Sequence, residues 1–219
     1  RMPSNFRSEE SIQSFLEHND IPGIQGIDTR ALVKLLRNKG TMNGMITTDA
    51  DYNMEEVQHK IHQYRVLKAV ERVTCKSKTV IPAGNTQLIE AGVDMDITDK
   101  SKADIPARGG IKHHVALLDY GMKNNIARSL AKRGCEITIY PAFTKAEEIL
   151  QDRPDGIMLS NGPGDPKECT TIIGEVKKLF DSRVPIFAIC LGHQLLALAN
   201  GGDTVKMKYG PRGANHPVK

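Results

Sequence analysis

Cys190 stands where one apolar run, Val184-Pro185-Ile186-Phe187-Ala188-Ile189, gives way to another, Leu191-Gly192-His193-Gln194-Leu195-Leu196-Ala197-Leu198-Ala199-Asn200. The first run predicts a strand and the second a helix, so Cys190 occupies the turn between them. A side chain on such a sharp turn stands clear of the sheet, beside N–H groups of a helix N-terminus that favour negative charge. Both effects suit a nucleophilic thiolate. The turn demands small flanks, because the residues two before and two after the nucleophile crowd each other, and here they are Ala188 and Gly192. A-I-C-L-G therefore reads as the cysteine version of the G-x-S-x-G elbow. The plainer alternative is a buried, inert thiol ending an apolar strand. The small flanks and the immediate helix start outweigh it for Cys190, whereas Cys75, Cys135 and Cys169 lack that setting and are read as structural or incidental.

A second constellation, Ser160-Asn161-Gly162-Pro163-Gly164-Asp165-Pro166, directly follows the predicted strand Ile157-Met158-Leu159. Two glycines around a proline make a loop that can turn backbone N–H groups inward to hold an oxyanion, with no side chain in the way. It is not a phosphate loop, because Lys167 is followed by Glu168 and G-x-x-x-x-G-K-[ST] is absent. Alone it would be a structural turn. Its position one βα unit before the Cys190 elbow makes it a candidate partner of the thiol.

A thiol nucleophile needs a base. His216, followed by Pro217 and Val218, is one candidate. His193 falls in the first turn of the elbow helix, where a local structural role is expected. His18, His59 and His62 lie on polar helices and read as surface. His113-His114 read as solvated linker rather than a metal pair, since no third ligand lies nearby.

The elements that must position these residues follow from periodicity. Residues 11–18 predict a helix that ends at Asp20-Ile21-Pro22-Gly23. Asp28 or Thr29 can cap a helix over Ala31–Arg37 with Gly40 as its stop. Met45–Thr48 predicts a short strand and Met54–Tyr64 a polar helix. Periodicity is lost between Cys75 and His113, where Pro82, Gly84, Asn85, Pro106, Gly109 and Gly110 accumulate, so a linker is expected over 74–112. From there strands and helices alternate: strand Val115–Asp119, helix Asn125–Arg133, strand Glu136–Tyr140, strand Gly156–Leu159, helix Thr171–Phe180, strand Val184–Ile189. Thr144-Lys145-Ala146-Glu147 predicts a capping box for the helix between the second and third of these strands. Repeated βα units imply an α/β fold with a doubly wound, mostly parallel sheet, preceded by a smaller, incomplete α/β module. Sites in such sheets gather beyond the carboxyl ends of strands, where both Ser160 and Cys190 fall.

The 219 residues allow one large or two small domains, and 39% apolar with 26% charged residues fits a globular chain. Aromatics make up 5%, with no Trp, and the net charge of +4 has no dense basic block behind it, which argues against nucleic acid as a partner. No apolar stretch approaches a membrane span, and the polar start does not read as a signal peptide. Four cysteines without C-x-x-C spacing fit a reducing, cytoplasmic setting. The chain begins with Arg1 and stops at Lys219 amid predicted structure, so a fragment truncated at both ends is expected.

A-I-C-L-G-H-Q with S-N-G-P-G-D-P resembles the class I (triad) glutamine amidotransferases. Asn5-Phe6-Arg7, Gly26-Ile27-Asp28-Thr29-Arg30-Ala31-Leu32, Leu36-Arg37-Asn38-Lys39-Gly40, Asn43-Gly44, Lys206-Met207-Lys208-Tyr209-Gly210 and Asn215-His216-Pro217-Val218-Lys219 are similar to one branch, the small, glutamine-hydrolysing subunits of carbamoyl-phosphate synthetase. The resemblance covers nearly the whole chain outside residues 75–112. It implies that residues 1–73 are the C-terminal part of that subunit's N-terminal domain, and 113–219 an incomplete amidotransferase domain. It further implies that Cys190 attacks the side-chain amide of L-glutamine. The N–H groups of Gly162 and Leu191 would form the oxyanion hole, Gly164 would contact substrate through its backbone, and Gln194 would bind glutamine. Ammonia would pass to a large subunit holding ATP and Mg, to make carbamoyl phosphate for arginine and pyrimidine synthesis. No cofactor or metal is expected in this chain itself. The family's histidine and glutamate, and a substrate-contacting serine of its first module, have no counterpart here, so this piece is expected to be feeble or inactive alone. Two other readings share the elbow: a triad amidotransferase feeding anthranilate or guanylate synthesis, against which residues 1–73 argue, and a non-catalytic redox-sensing module.

Overall fold

The computed structural model describes residues 4–85 and 113–208. Two compact units divide the chain, one of Arg1–Arg65 with Lys206–Lys219 and the other of Val66–Val205.

The first unit holds three helices: α1 (Ile12–His18), α2 (Thr29–Lys39) and α3 (Met54–Gln63). Each starts at a side-chain cap. Ser11 accepts from Ser14 N–H, Asp28 from Ala31 N–H, and Asn53 from the N–H groups of Glu55 and Glu56, satisfying donors that a helix start leaves open. Of the two caps nominated for α2, Asp28 performs the role. Gly40 ends α2 at φ 97°, and an added Cβ there would lie 3.0 Å from Lys208 O, so glycine is required twice over. Met45–Thr48, expected as a strand, is irregular. A β-run needs a neighbour to take up its N–H and C=O groups, and no described strand of this unit offers one. Among the described residues of this unit, Gly40 alone is buried.

The second unit is a five-stranded sheet with helices on both faces. After α4 (Ala69–Val73) come β1 (Thr79–Ile81), β2 (His113–Asp119), α5 (Asn125–Ala131), β3 (Cys135–Pro141), α6 (Ala146–Gln151), β4 (Gly156–Leu159), a 3₁₀ turn (Pro166–Glu168), α7 (Thr170–Asp181), β5 (Ile186–Ala188) and α8 (Leu191–Ala199). Strand order is β1-β3-β2-β4-β5, with β1 antiparallel and the rest parallel. The mostly parallel, doubly wound sheet is therefore as expected. Successive residues of the central strands serve opposite cores. Ala116, Leu118, Ile157 and Leu159 pack with Ala146 and Ile149 of α6, Ile172, Val176 and Leu179 of α7, and Leu191 and Leu195 of α8. Leu117, Ile137, Ile139 and Met158 pack with Ala127 and Ala131 of α5. Burial on both faces is why these strands read as unbroken apolar runs.

Several expectations are corrected here. The stretch read as linker over 74–112 contains β1, an edge strand pinned to β3, while residues 86–112 lie outside the described part. His113 and His114 open β2 instead of ending a linker, and His114 Nε2 meets Thr138 Oγ1 at 2.8 Å across to β3. The Thr144 capping box does not form, because Lys145 is the N-cap of α6 and makes no side-chain bond. The buried Ala146 N–H donates instead to Glu175 Oε2 of α7 at 2.7 Å, so a tertiary partner replaces the local one.

Candidate active site

Strand order sets the place of the site. β2 connects through α5 to β3 on one side and, further along the chain, has β4 on its other side, so the crevice of the sheet opens between the carboxyl ends of β2 and β4. From those ends leave the turn 119–123 and the loop 160–164. Cys190 follows β5, the next strand beyond β4.

Cys190 has φ 52° and ψ −111°, and is the N-cap of α8. A non-glycine residue with positive φ is strained by about 1–3 kcal/mol, and such strain collects at functional sites. Its side chain is exposed, as the elbow reading requires. The other expected condition, crowding of Ala188 against Gly192, is not the principal constraint. A Cβ at Gly192 would lie 2.5 Å from Leu159 O and 2.7 Å from Leu159 Cβ, so β4 is what excludes a side chain there. Gly192 N–H donates to Ser160 O at 3.1 Å and thereby ties the elbow to the root of the loop.

The loop is built as closely. A Cβ at Gly162 would fall 2.2 Å from Tyr120 O and 2.7 Å from Leu191 Cδ2, so this position abuts both the β2 turn and the first residue of α8. Gly164 adopts φ 95° with Ala69 Cβ 3.1 Å from where its own would be. Asp165 Oδ1 accepts from Lys167 N–H and starts the 3₁₀ turn. Among the described residues, neither Gly162 N–H nor Leu191 N–H finds a protein acceptor. Two unclaimed donors, one on the residue that follows the exposed thiol and one on the loop that abuts that residue, are of the kind that stabilises an oxygen gaining charge as sulfur adds to a carbonyl.

The structure thus brings together Cys190, Leu191 and Gly162. Gly164 lines a cleft of about 520 Å³ with Ala69, Val70, Phe143 and Cys169, a cleft that Cys190 does not line. Gln194 and His193 are exposed in the first turn of α8, and Gln194 N–H donates to Cys190 O at 3.0 Å. No described histidine hydrogen-bonds Cys190; His18 meets Glu10, His59 meets Gln63 and His62 meets Gln58 O. His216 lies outside the described residues. Burial pushes the Cys75 thiol up to about 12, with the Asp119 carboxylate adding to it, and burial likewise raises Cys169, with Glu168 and Asp165 contributing. Both therefore stay protonated thiols at neutral pH. Among the described residues no cluster of His, Cys, Asp or Glu could hold a metal ion, and no helix is long and apolar enough to cross a membrane.

Sequence reasoning missed the residues that hold this arrangement. Asp119 is 5% exposed, with Oδ1 accepting from Gly121 and Met122 N–H and Oδ2 from Cys75 N–H. Asn161 bridges to Lys123 N–H and Gly121 O, and Ser160 Oγ takes Tyr120 N–H. The available signal was an acidic residue closing an apolar strand just before a glycine, Asp119-Tyr120-Gly121.

Residues 116–219 match the family described as glutamine amidotransferase class-I, and residues 1–46 match the carbamoyl-phosphate synthase small chain CPSase domain. Curated relatives called carbamoyl phosphate synthase small chain align along the chain. That of Photorhabdus laumondii is 43% identical over 100% of this chain and 54% of its own length. Those of Clostridium perfringens and Vibrio parahaemolyticus are 42% and 44% identical over 99% of this chain, and 54% and 55% of theirs. The chain spans about half the length of the relatives it matches. With a class I glutamine amidotransferase match over residues 116–219, a small-chain CPSase-domain match over residues 1–46 and small-chain relatives 42–44% identical along its length, the chain is similar throughout to the carbamoyl phosphate synthase small chains.

Proposed function

We propose that the chain carries the glutamine-attacking thiol of a carbamoyl-phosphate-forming enzyme. The observation that carries this reading is Cys190, exposed and strained at the elbow, beside the unclaimed N–H groups of Leu191 and Gly162. Cys190 Sγ adds to the side-chain amide carbon of L-glutamine, and the carbonyl electron pair moves to oxygen, where the two N–H groups receive it. Collapse breaks the C–N bond, ammonia departs with the proton supplied by the thiol, and a γ-glutamyl thioester remains. Water then adds to the same carbon, the C–S bond breaks, and glutamate leaves. Gly164 contacts substrate through its backbone and Gln194 binds glutamine from the first turn of α8. The ammonia passes to a large subunit that holds ATP and Mg, in the cytoplasm, to serve arginine and pyrimidine synthesis.

Ammonia and glutamate release from glutamine tests this. Slow release that Cys190→Ser abolishes is expected, and equal release by the two proteins would contradict it.

A further inference from the structure

We propose that Asn161 is a positioning residue, which fixes the Gly162 N–H against the Cys190 elbow by clamping the 160–164 loop to the 119–123 turn. This rests on the reading of Gly162 N–H as an oxyanion donor. A loop of two glycines around a proline has little with which to hold its own shape, and glycine has the most backbone freedom to lose. The hold comes from outside. Asn161 Oδ1 accepts from Lys123 N–H at 3.0 Å while Nδ2 donates to Gly121 O at 3.0 Å, so one amide spans both sides of the turn. Ser160, fully buried, adds a second tie: its Oγ accepts from Tyr120 N–H at 2.9 Å and donates to Asn161 O at 2.8 Å.

The turn that receives these bonds is itself fixed. The Asp119 carboxylate takes Gly121 N–H at 2.9 Å, Met122 N–H at 2.8 Å and Cys75 N–H at 2.8 Å. Sterics set the limit in the other direction, since Gly162 already stands against Tyr120 O, and a Cβ at Gly121 would meet Pro163 Cδ at 2.9 Å. Contact stops the loop from moving toward β2, and Asn161 stops it from moving away. None of the hydrogen bonds of Asn161 goes to Cys190, so its effect on the thiol's chemistry passes through Gly162.

Two reagents separate positioning from general damage. A chloroketone analogue of glutamine alkylates a thiol, losing chloride, fastest when its carbonyl oxygen is held by oxyanion donors. Methyl methanethiosulfonate has no carbonyl and reports only the exposure and reactivity of the thiol. In the 219-residue chain, Asn161→Ala should slow labelling of Cys190 by the chloroketone about 10–100-fold, the scale of a displaced donor, and leave the thiosulfonate rate within about twofold. Asn161→Asp keeps the acceptor for Lys123 but sets an oxygen against Gly121 O, and should slow the chloroketone as well. Asn200→Ala, which removes a bond to Leu196 O at the far end of α8, controls for lost stability and should change neither rate. Wild-type chloroketone rates in Asn161→Ala, or equal slowing by both reagents, would overturn the assignment. Failure of wild-type Cys190 to react with the chloroketone in preference to Cys75 and Cys169 would instead bring down the glutaminase reading, and this proposal with it.

Discussion

At Cys190 the backbone is held at φ 52° and ψ −111°, where a side chain is tolerated only at a cost. Because that side chain is exposed, removing it forfeits little packing. The balance can be measured by comparing Cys190→Gly with Cys190→Ala in urea unfolding. Relief of about 1–3 kcal/mol of strain, against a glycine entropy cost of about 0.5–1 kcal/mol, predicts that the glycine variant is more stable by about 1 kcal/mol. Equal stability would mean that the elbow is unstrained. Gly162→Ala works in the opposite sense. Its Cβ would lie 2.2 Å from a backbone oxygen that cannot swing aside, so the loop must shift. Glutamine hydrolysis should fall about 10²–10³-fold through loss of one oxyanion donor, with unfolding midpoints as the check that the sheet survives. At this scale the strand-to-helix turn at Cys190 and the tight loop at Gly162 and Gly164 were legible, because each leaves a local signature. Asp119 and Asn161 were not, since their partners lie up to 44 positions away in sequence.

Elements whose signals are local fell where expected, and α2 between Asp28 and Gly40 is an example. Elements decided by distant partners did not. The Thr144 box lost to Glu175, which reaches Ala146 N–H from α7. Glu175→Ala should therefore cost about 1 kcal/mol, within the range for a lost cap, while Thr144→Ala is near neutral; thermal unfolding of the two variants decides between the local and tertiary caps. Edge strand β1, hidden in a stretch without periodicity, is held at one end by Lys78, which bonds Asp152 and lies 5.2 Å from the Tyr140 ring centroid. Hydrogen bonds from Lys78 and Tyr140 hold the Asp152 carboxyl below the usual carboxylate range. A carboxylate whose pKa is lower when folded stabilises the fold above its unfolded value, near 3.9, and that stabilisation disappears as pH falls through the folded value. Wild type should lose stability on acidification below about pH 4 more steeply than Asp152→Asn, and parallel curves would show that the cluster carries no such linkage.

Across the whole chain, burial is uneven. The sheet of the second unit has apolar cores on both faces, whereas in the first unit Gly40 alone is buried among the described residues. Helix caps hold local structure there without a core behind them, so amides of α1 to α3 should exchange about 10²-fold or more faster than those of β2, β3 and β4; equal protection would refute this. The sheet was legible as a parallel, doubly wound one because strands buried on both faces must be continuously apolar. Strand β1 and helix α4 were not, because both are too short to show a period. The central question is whether Cys190 is a nucleophile that recognises glutamine. The direct measurement is peptide mapping after treatment with the chloroketone analogue of glutamine, with and without glutamine present. Stoichiometric modification confined to Cys190, slowed by glutamine and absent in Cys190→Ala, is the predicted result. Modification spread over Cys75, Cys169 and Cys190, or modification that glutamine does not slow, would contradict it.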